Sequence, residues 1–190
     1  MDELQRLVGV YRRRSSLSVK SRLDVLMDLE RIRDPRVVPF LLQLLGDRHE
    51  SEAVRVHVVK QLRHDSGVLV PTDRPAVANA LTEVLAGPSP ENLRLQAALA
   101  LGDFTDIAKV LSSLTQLSLA PCESIDLRYA AFTSIERAGA TAECIALMRR
   151  IAGDETLGDA ARSVLSAWHV AEPRSRSRGD HHDRPNPADR

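Results

Sequence analysis

The chain has 190 residues, enough for one domain or one short repeat array, and its formal charge is zero, with 26 basic and 26 acidic side chains. This balance argues against a general attraction to nucleic acid or to an anionic membrane. Hydrophobic residues make up 43% and aromatic residues only 3%, so a core of aliphatic side chains carried on helices is expected. The acidic start of the chain differs from a signal peptide, no apolar run approaches the roughly 18 residues of a membrane span, and Cys122 and Cys144 form no disulfide framework. We therefore expect a cytoplasmic protein without a membrane segment.

Apolar side chains at helical spacing occur in five successive pairs of segments. The first segment of each pair has a stripe that begins at Leu4, Val38, Val77, Ile107 or Ile145. The second carries an early arginine, and these five arginines are Arg22, Arg55, Arg94, Arg128 and Arg162, spaced 33, 39, 34 and 34 residues apart. The first four are followed by apolar residues at +1, +3, +4 and +7, which is one face of an α-helix. Glycine or proline turns separate the two segments. The pattern predicts helix A, turn, helix B, repeated over residues 2–33, 35–64, 74–104, 106–138 and 140–170.

Three regions depart from this regular unit. The fifth copy is more polar after its arginine, as expected where a terminal repeat has no further neighbour. The connection over residues 64–74 is longer than the others, and long connections are often functional. Residues 172–190 are rich in proline and arginine and lack an apolar period, which predicts a disordered tail after a folded domain of residues 1–171.

A two-helix period of this length with an arginine early in helix B resembles the HEAT and HEAT-like repeat family, over roughly residues 2–170. The resemblance implies an all-α, right-handed solenoid in which B helices line the concave surface and arginines form a ladder with turn acids. An acid stands three residues before three of the arginines, at Glu52, Glu91 and Asp159. Val19 and Ser124 occupy that place before the other two. We therefore expect the ladder to be interrupted at Arg22 and Arg128.

No catalytic or cofactor motif stands out. Deoxyhypusine hydroxylases, which are HEAT-like, use several His-Glu pairs to bind two irons, whereas this chain has the single pair His49-Glu50. The residues His181-His182-Asp183 lie in the predicted tail, where nothing would orient them around a metal. The basic run Arg12–Arg14 ends the first predicted helix, and the few aromatics do not suit nucleic acid. We expect no cofactor or metal; a HEAT-like enzyme or enzyme accessory, related to bilin lyases or to nucleic-acid-processing proteins, remains the alternative.

A protein-binding surface is the leading prediction. B-helix positions +2, +6 and +9 from each arginine lie off the apolar stripe and change from charged at one end to small and apolar at the other. The candidate protein-binding residues in these rows are Asp24, Asp28, Arg31, His57, Gln61, Gln96, Ala100, Ser134, Arg137 and Trp168. Such a surface suits a protein segment with a hydrophobic anchor and a polar rim. Trp168 fits either an anchor or a cap over the terminal repeat. The expected function is a non-catalytic scaffold, adaptor or assembly factor, and no pattern selects a particular partner or oligomeric state.

Overall fold

A computed structural model describes residues 2–13, 18–63 and 67–169 of the chain. Within these ranges all regular structure is helical, which confirms the predicted all-α class. The A helices are α1 (Glu3–Arg13), α3 (Val38–Gly46), α5 (Arg74–Ala86), α7 (Val110–Ser118) and α9 (Ala142–Ile151). The B helices are α2 (Val19–Ile32), α4 (Glu52–Gln61), α6 (Glu91–Leu101), α8 (Ile125–Arg137) and α10 (Gly158–Ala167).

The helices pack in two layers. Each A helix packs against the B helix that follows it, from α1 with α2 to α9 with α10. Within the A layer, α3 contacts α5, α5 contacts α7 and α7 contacts α9, while α2, α4, α6 and α8 contact one another in series in the B layer. A single helix pair cannot bury its apolar face alone, and stacking buries a continuous core between the layers.

The core is one continuous cluster that runs through all ten described helices. It is mainly aliphatic, as the composition predicts, with Leu26, Leu62 and Leu101 fully buried. Phe104 and Phe132 are the largest fully buried side chains. Each such side chain contributes roughly 1.5–3 kcal/mol through its removal from water, so the shared core is the main source of cohesion along the stack.

Hydroxyl side chains fix the start of four helices. Ser18, Ser51 and Ser124 accept a hydrogen bond from the third residue beyond them at the starts of α2, α4 and α8, over 3.3, 3.4 and 3.3 Å. Thr141 does the same for α9, over 3.1 Å. These caps satisfy N–H groups that have no partner inside the helix, and they set where each turn ends. The turn before α6 ends instead at Pro90, which offers no side-chain acceptor.

Two connections differ from the simple prediction. Helix α7 begins at Val110 rather than near Ile107, because Lys109 adopts a left-handed conformation (φ 76°) that the helix cannot continue through. In the long connection between α4 and α5, Val68 is buried in the core and Arg74 is already the first residue of α5. Residues 64–66 of that connection, and the predicted tail with its histidines, lie outside the described ranges.

Candidate functional site

The arginine of helix B ties its own helix pair together. Arg55 Nε donates to Leu45 O over 3.0 Å, and Arg94 Nε donates to Leu85 O over 2.9 Å. The same bond recurs from Arg128 Nε to Ser118 O at 2.8 Å, and Arg162 Nη1 donates to Ala152 O over 2.5 Å. Carbonyls at the end of an α-helix have no partner within it. The guanidinium supplies that partner for four of the A helices.

The far side of the guanidinium reaches the next helix pair. Arg22 donates to Glu50, Arg94 donates to both carboxylate oxygens of Glu123 over 2.6 and 2.8 Å, and Arg128 donates to both oxygens of Asp154 over 2.7 and 2.8 Å. Each acid stands in the turn that follows the next A helix. These contacts form the arginine ladder, which we define as Arg22–Glu50, Arg94–Glu123 and Arg128–Asp154.

Two ladder acids have depressed pKa values. The pKa of Glu123 is lowered, chiefly by the hydrogen bonds from the Arg94 side chain. The pKa of Asp154 is also lowered, first by the backbone N–H of Leu157, and the Arg128 charge adds to the effect. Both carboxylates are therefore held ionised, as a charge-assisted pair requires.

The predicted interruptions of the ladder are wrong. Arg22 and Arg128 both have carboxylate partners, because the acid comes from the turn of the following pair and not from the arginine's own helix. Of the five B-helix arginines, only Arg162, in the terminal pair, bonds a described acid three residues before it, Asp159, over 2.5 Å. The interruption falls instead at Arg55, which forms no ion pair with a described carboxylate and is only 6% exposed.

The predicted protein-binding residues divide by exposure. Asp24, Asp28, Arg31 and Arg137 are exposed, and His57, Gln96 and Trp168 are half-buried. The other three lie in the interior: Gln61 is 3% exposed, and Ala100 and Ser134 are fully buried. Placing Gln61, Ala100 and Ser134 on an accessible groove was therefore wrong.

The buried row is the joint between neighbouring B helices. Gln61 Nε2 on α4 donates to Leu26 O on α2 over 2.8 Å, and Ser134 Oγ on α8 donates to Ala98 O on α6 over the same distance. A Cβ on Gly102 would lie 3.1 Å from Ser134 Oγ, so the absence of a side chain there permits the close approach of α6 and α8. In α4, α6 and α8, position +6 is therefore buried in the interior rather than open to solvent.

A different row of the B helices faces outward. Positions +1 and +5 from the first four arginines, together with Ile125 one turn before Tyr129 on α8, form what we call the B-helix surface: Leu23, Met27, Val56, Lys60, Leu95, Leu99, Ile125, Tyr129 and Thr133. Met27 is 46% exposed, Ile125 48% and Tyr129 50%, which makes them the exposed large hydrophobic residues of the described ranges. The sequence pattern places position +1 in the core stripe, so periodicity alone missed this surface. The apolar residues Ile125 and Tyr129, one helical turn apart, were the sequence signal that could have revealed this surface.

Charged candidates at the edges of this surface are partly engaged. Arg31 pairs with Asp28 over 2.8 Å at the α2 end. Arg137 Nη2 lies 2.6 Å from Asp103 Oδ1, and Arg63 Nε lies 3.3 Å from Asp103 Oδ2. Asp103 thus links the ends of α4, α6 and α8, and Arg137 takes part in a joint between helix pairs as well as standing at the rim.

His57 lies in the joint between α2 and α4. Its Nε2 is buried, lies 3.8 Å from Glu30 Oε2 and forms no hydrogen bond with the residues that the structure describes. Burial lowers the pKa of His57, and the nearby Glu30 charge only partly opposes this. The imidazole is therefore neutral at neutral pH, which makes His57 a packing residue at the edge of the B-helix surface.

The residues considered for a metal site serve other roles in the fold. Glu50 of the His49-Glu50 pair accepts hydrogen bonds from Arg22 and from Tyr11 Oη (2.7 Å), so its carboxylate serves the ladder. Over residues 2–13, 18–63 and 67–169, three or more His, Cys, Asp or Glu side chains nowhere gather as a metal site would require. No described helix combines the length and apolarity needed to cross a membrane. Trp168 directly follows α10, is half-buried and packs against the core.

Residues 11–102 match a family model described as HEAT repeats. This match covers the last turn of α1 through the end of α6 and confirms the family resemblance drawn from the arginine pattern. No curated protein matches the chain.

Proposed function

We propose that this chain, of the HEAT-like repeat family, is a non-catalytic scaffold, adaptor or assembly factor that binds a protein partner on its B-helix surface. Arrays of this family present extended surfaces built from successive repeats and generally mediate protein–protein contacts. We further propose five repeats in one domain of residues 1–171, wound as a right-handed solenoid with the B helices on the concave side. A cytoplasmic location remains the expectation, consistent with the two free cysteines, Cys122 and Cys144.

The observation that carries the proposal is the apolar character of the B-helix surface. Met27, Ile125 and Tyr129 each leave about half of a large apolar side chain in water, and Leu95 and Leu99 lie half-buried between them on α6. Because α2, α4, α6 and α8 contact one another in series, these side chains follow one another across four helix pairs. An apolar stretch with charged residues at its border is typical of a protein-binding surface.

The border of this surface supplies the polar rim. Asp24, Asp28 and Arg31 stand exposed at the α2 end, and Gln96 is half-buried near the middle. Rim charges mostly set the rate and selectivity of association, whereas central apolar side chains set its strength. We therefore assign the anchor role to Tyr129 and Ile125. Trp168 is assigned the role of a cap that packs against the core.

Capture of the partner with point variants tests this function. The wild-type chain is used as bait, and the captured protein is compared for Tyr129→Glu, Met27→Glu and the control Ser112→Glu. Ser112 is exposed on α7 of the A layer, so the control adds the same charge on the opposite side of the molecule. We expect the two B-helix variants to weaken binding at least about 10-fold, roughly 1.4 kcal/mol, and the control to bind normally.

Circular dichroism and thermal melting establish that each variant is folded. If Tyr129→Glu and Met27→Glu both fold and bind the captured partner as well as the control does, the B-helix surface is not the interface. The enzyme alternative gains no supporting observation from the described residues.

A further inference from the structure

The arginine ladder has a gap at Arg55, a buried cation that forms no ion pair with a described carboxylate. Arg55 is only 6% exposed, and its Nε donates a hydrogen bond to Leu45 O over 3.0 Å. Of the described carboxylates, none forms an ion pair with the remaining Nη groups. Buried guanidinium groups are ordinarily paired, since an uncompensated buried charge is costly.

The gap arises from the residue that occupies one position in the turn between α5 and α6. Glu50 and Glu123, which pair with Arg22 and Arg94, each stand five residues before the next B-helix arginine. The same position in the turn opposite Arg55 is Ser89, within Gly87-Pro88-Ser89-Pro90. A serine hydroxyl is too short to replace the glutamate carboxylate and carries no charge. The place of the ladder acid is thus present in this turn, but the residue that occupies it is not an acid.

An open groove leads to Arg55. It lies between α3 and α5, has a volume of about 140 Å³, and is lined by Arg48, Arg55 and Ser89 together with apolar side chains such as Leu42 and Val84. The corresponding groove between α5 and α7, of about 300 Å³, contains Arg94 already neutralised by Glu123. The two grooves occupy the same place in successive helix pairs and differ in whether the arginine has its anion.

The charges around Arg55 favour an incoming anion. Burial lowers the pKa of Arg55, and the second cation of the groove, Arg48, lowers it further, while Asp47 partly compensates. Arg48 is exposed at the opening of the groove. Glu83, also on the rim and exposed, is the opposing charge, and it forms no ion pair within the described ranges. The guanidinium therefore gains from any anion that reaches its two Nη groups, which form no ion pair with the described carboxylates.

We propose that the groove at Arg55 binds the carboxylate of an aspartate or glutamate side chain of the protein partner, which completes the missing contact of the arginine ladder. This proposal rests on the proposed function only in taking the partner to be a protein. The contact lies at the turns that join each A helix to its B helix, which we call the turn edge, and it is separate from the B-helix surface. The chemistry is that of Arg94 and Glu123, in which two Nη atoms meet two carboxylate oxygens at 2.6 and 2.8 Å. Arg48 assists as a second cation at the opening.

Side-chain NMR with an acidic peptide tests this site directly. Because Arg55 Nε–H is hydrogen-bonded to Leu45 O, its exchange with water should be slow enough for its signal to be followed. Hexaglutamate is titrated at constant ionic strength into the folded full-length chain, with hexaglutamine and inorganic phosphate in parallel. We expect hexaglutamate to shift the Arg55 Nε–H and Ser89 amide signals in a saturable manner and hexaglutamine to leave them unchanged.

Three variants separate the site from general electrostatics. Ser89→Glu should place an internal carboxylate on Arg55, shift its Nε–H signal in the direction that the peptide does, and weaken hexaglutamate binding at this site at least about 10-fold. Ser166→Glu, which adds the same charge at an exposed position of α10, should bind the peptide nearly as wild type does. Glu83→Gln should strengthen binding because it removes the opposing charge of the groove.

The outcomes are decisive in both directions. Saturable shifts at Arg55 that Ser89→Glu abolishes and Ser166→Glu preserves support the proposal. The proposal is overturned if hexaglutamate leaves the Arg55 signal unmoved, or if Ser89→Glu and Ser166→Glu bind hexaglutamate equally well. It is also overturned if inorganic phosphate, added without peptide, produces the same shift. Since the peptide experiment needs no natural partner, failure of the B-helix surface as an interface would leave its result unaffected.

Discussion

Arg94 and Glu123 belong to different helix pairs, and their side chains meet through two parallel hydrogen bonds of 2.6 and 2.8 Å. The two side chains are 19% and 28% exposed, so the pair lies largely within the joint between α5–α6 and α7–α8. The same guanidinium also holds Leu85 O at 2.9 Å. One arginine thus fastens its own helix pair and the next one simultaneously.

Removal of this arginine should weaken the fold. We expect Arg94→Ala to lower the free energy of unfolding by roughly 1–3 kcal/mol, because a mostly buried carboxylate, a helix-end carbonyl and a packed stem all lose their partner. Chemical denaturation measures the change. The control is Arg162→Ala, whose guanidinium is 53% exposed and pairs with the 97% exposed Asp159. Its effect should stay below about 1 kcal/mol, and equal losses for the two variants would contradict a structural role of the ladder.

The buried position of Ser134 predicts strong intolerance to a charge. Ser134→Arg must place a guanidinium in the joint between α6 and α8, next to Gly102, and should destabilise the protein by more than about 3 kcal/mol or prevent folding. Ser166→Arg, at an exposed site of α10, should change stability by no more than about 0.5 kcal/mol. Thermal melting monitored by circular dichroism gives both values. A fully stable Ser134→Arg would show that the B helices are not in contact at this position.

The carboxylate of Asp103, which Arg63 and Arg137 share, should contribute to the stability of the fold. Its side chain is only 13% exposed, while the two arginines are 36% and 42% exposed. Allowing for solvent screening, we expect Asp103→Asn to cost about 1–2 kcal/mol and the cost to shrink in high salt. The matched control, Asp126→Asn, changes an exposed aspartate in the first turn of α8. If the two variants lose the same stability, Asp103 does not join the three helix pairs.

Protonation of His57 should destabilise the fold at mildly acidic pH. Its pKa in the folded chain lies below the ordinary value of about 6.5, so the unfolded chain binds the proton more readily. Stability from this residue is complete above pH 6.5 and is lost as the pH falls through the lower, folded-state pKa. Carboxylates with depressed pKa values, such as Glu123 and Asp154, add losses only below about pH 4.5.

His57→Gln isolates the histidine contribution. Denaturation curves at pH 7.0, 6.0 and 5.0 give the free energy of unfolding at each pH. We expect this free energy to decrease with falling pH for the wild-type chain and to decrease less for the variant, because glutamine does not titrate. Glu30 and Lys60, the charged groups that act on His57, are retained in both proteins. Parallel pH profiles for the two proteins would show that His57 does not sense pH.

The sequence was sufficient to predict the helices but not their neighbours within a layer. Apolar spacing identifies the face of a B helix that meets its own A helix, as for Leu101 and Ile135. It contains no information on where the preceding B helix lies, and for that reason Ala100 and Ser134 resembled groove residues. Small side chains at equivalent positions, followed by Gly102, are better explained by close packing of helices.

The ladder was predictable in kind and not in partner. An arginine early in helix B indicates an ion pair, yet the distance along the chain to its acid depends on how the next pair stacks. Glu50 and Asp154 lie 28 and 26 residues beyond the arginines they bind, too far for helical periodicity to link them. Comparison of the turns with one another, rather than of each helix with itself, would have identified the turn Gly87-Pro88-Ser89-Pro90, which contains no acid, as the exception.

The gap at Arg55 also affects the mechanics of the array. Where Arg94 meets Glu123, the neighbouring pair is fastened at its turn edge, and the Asp103–Arg137 contact fastens the opposite edge. The joint between α3–α4 and α5–α6 has the Arg63–Asp103 contact at that opposite edge and no described ion pair at the turn edge. Such a joint should resist opening at the edge of the Arg63–Asp103 contact more than it resists opening at the turn edge. A carboxylate bound at Arg55 would stiffen it, so that occupancy of a small groove and the elastic shape of the whole array become thermodynamically coupled.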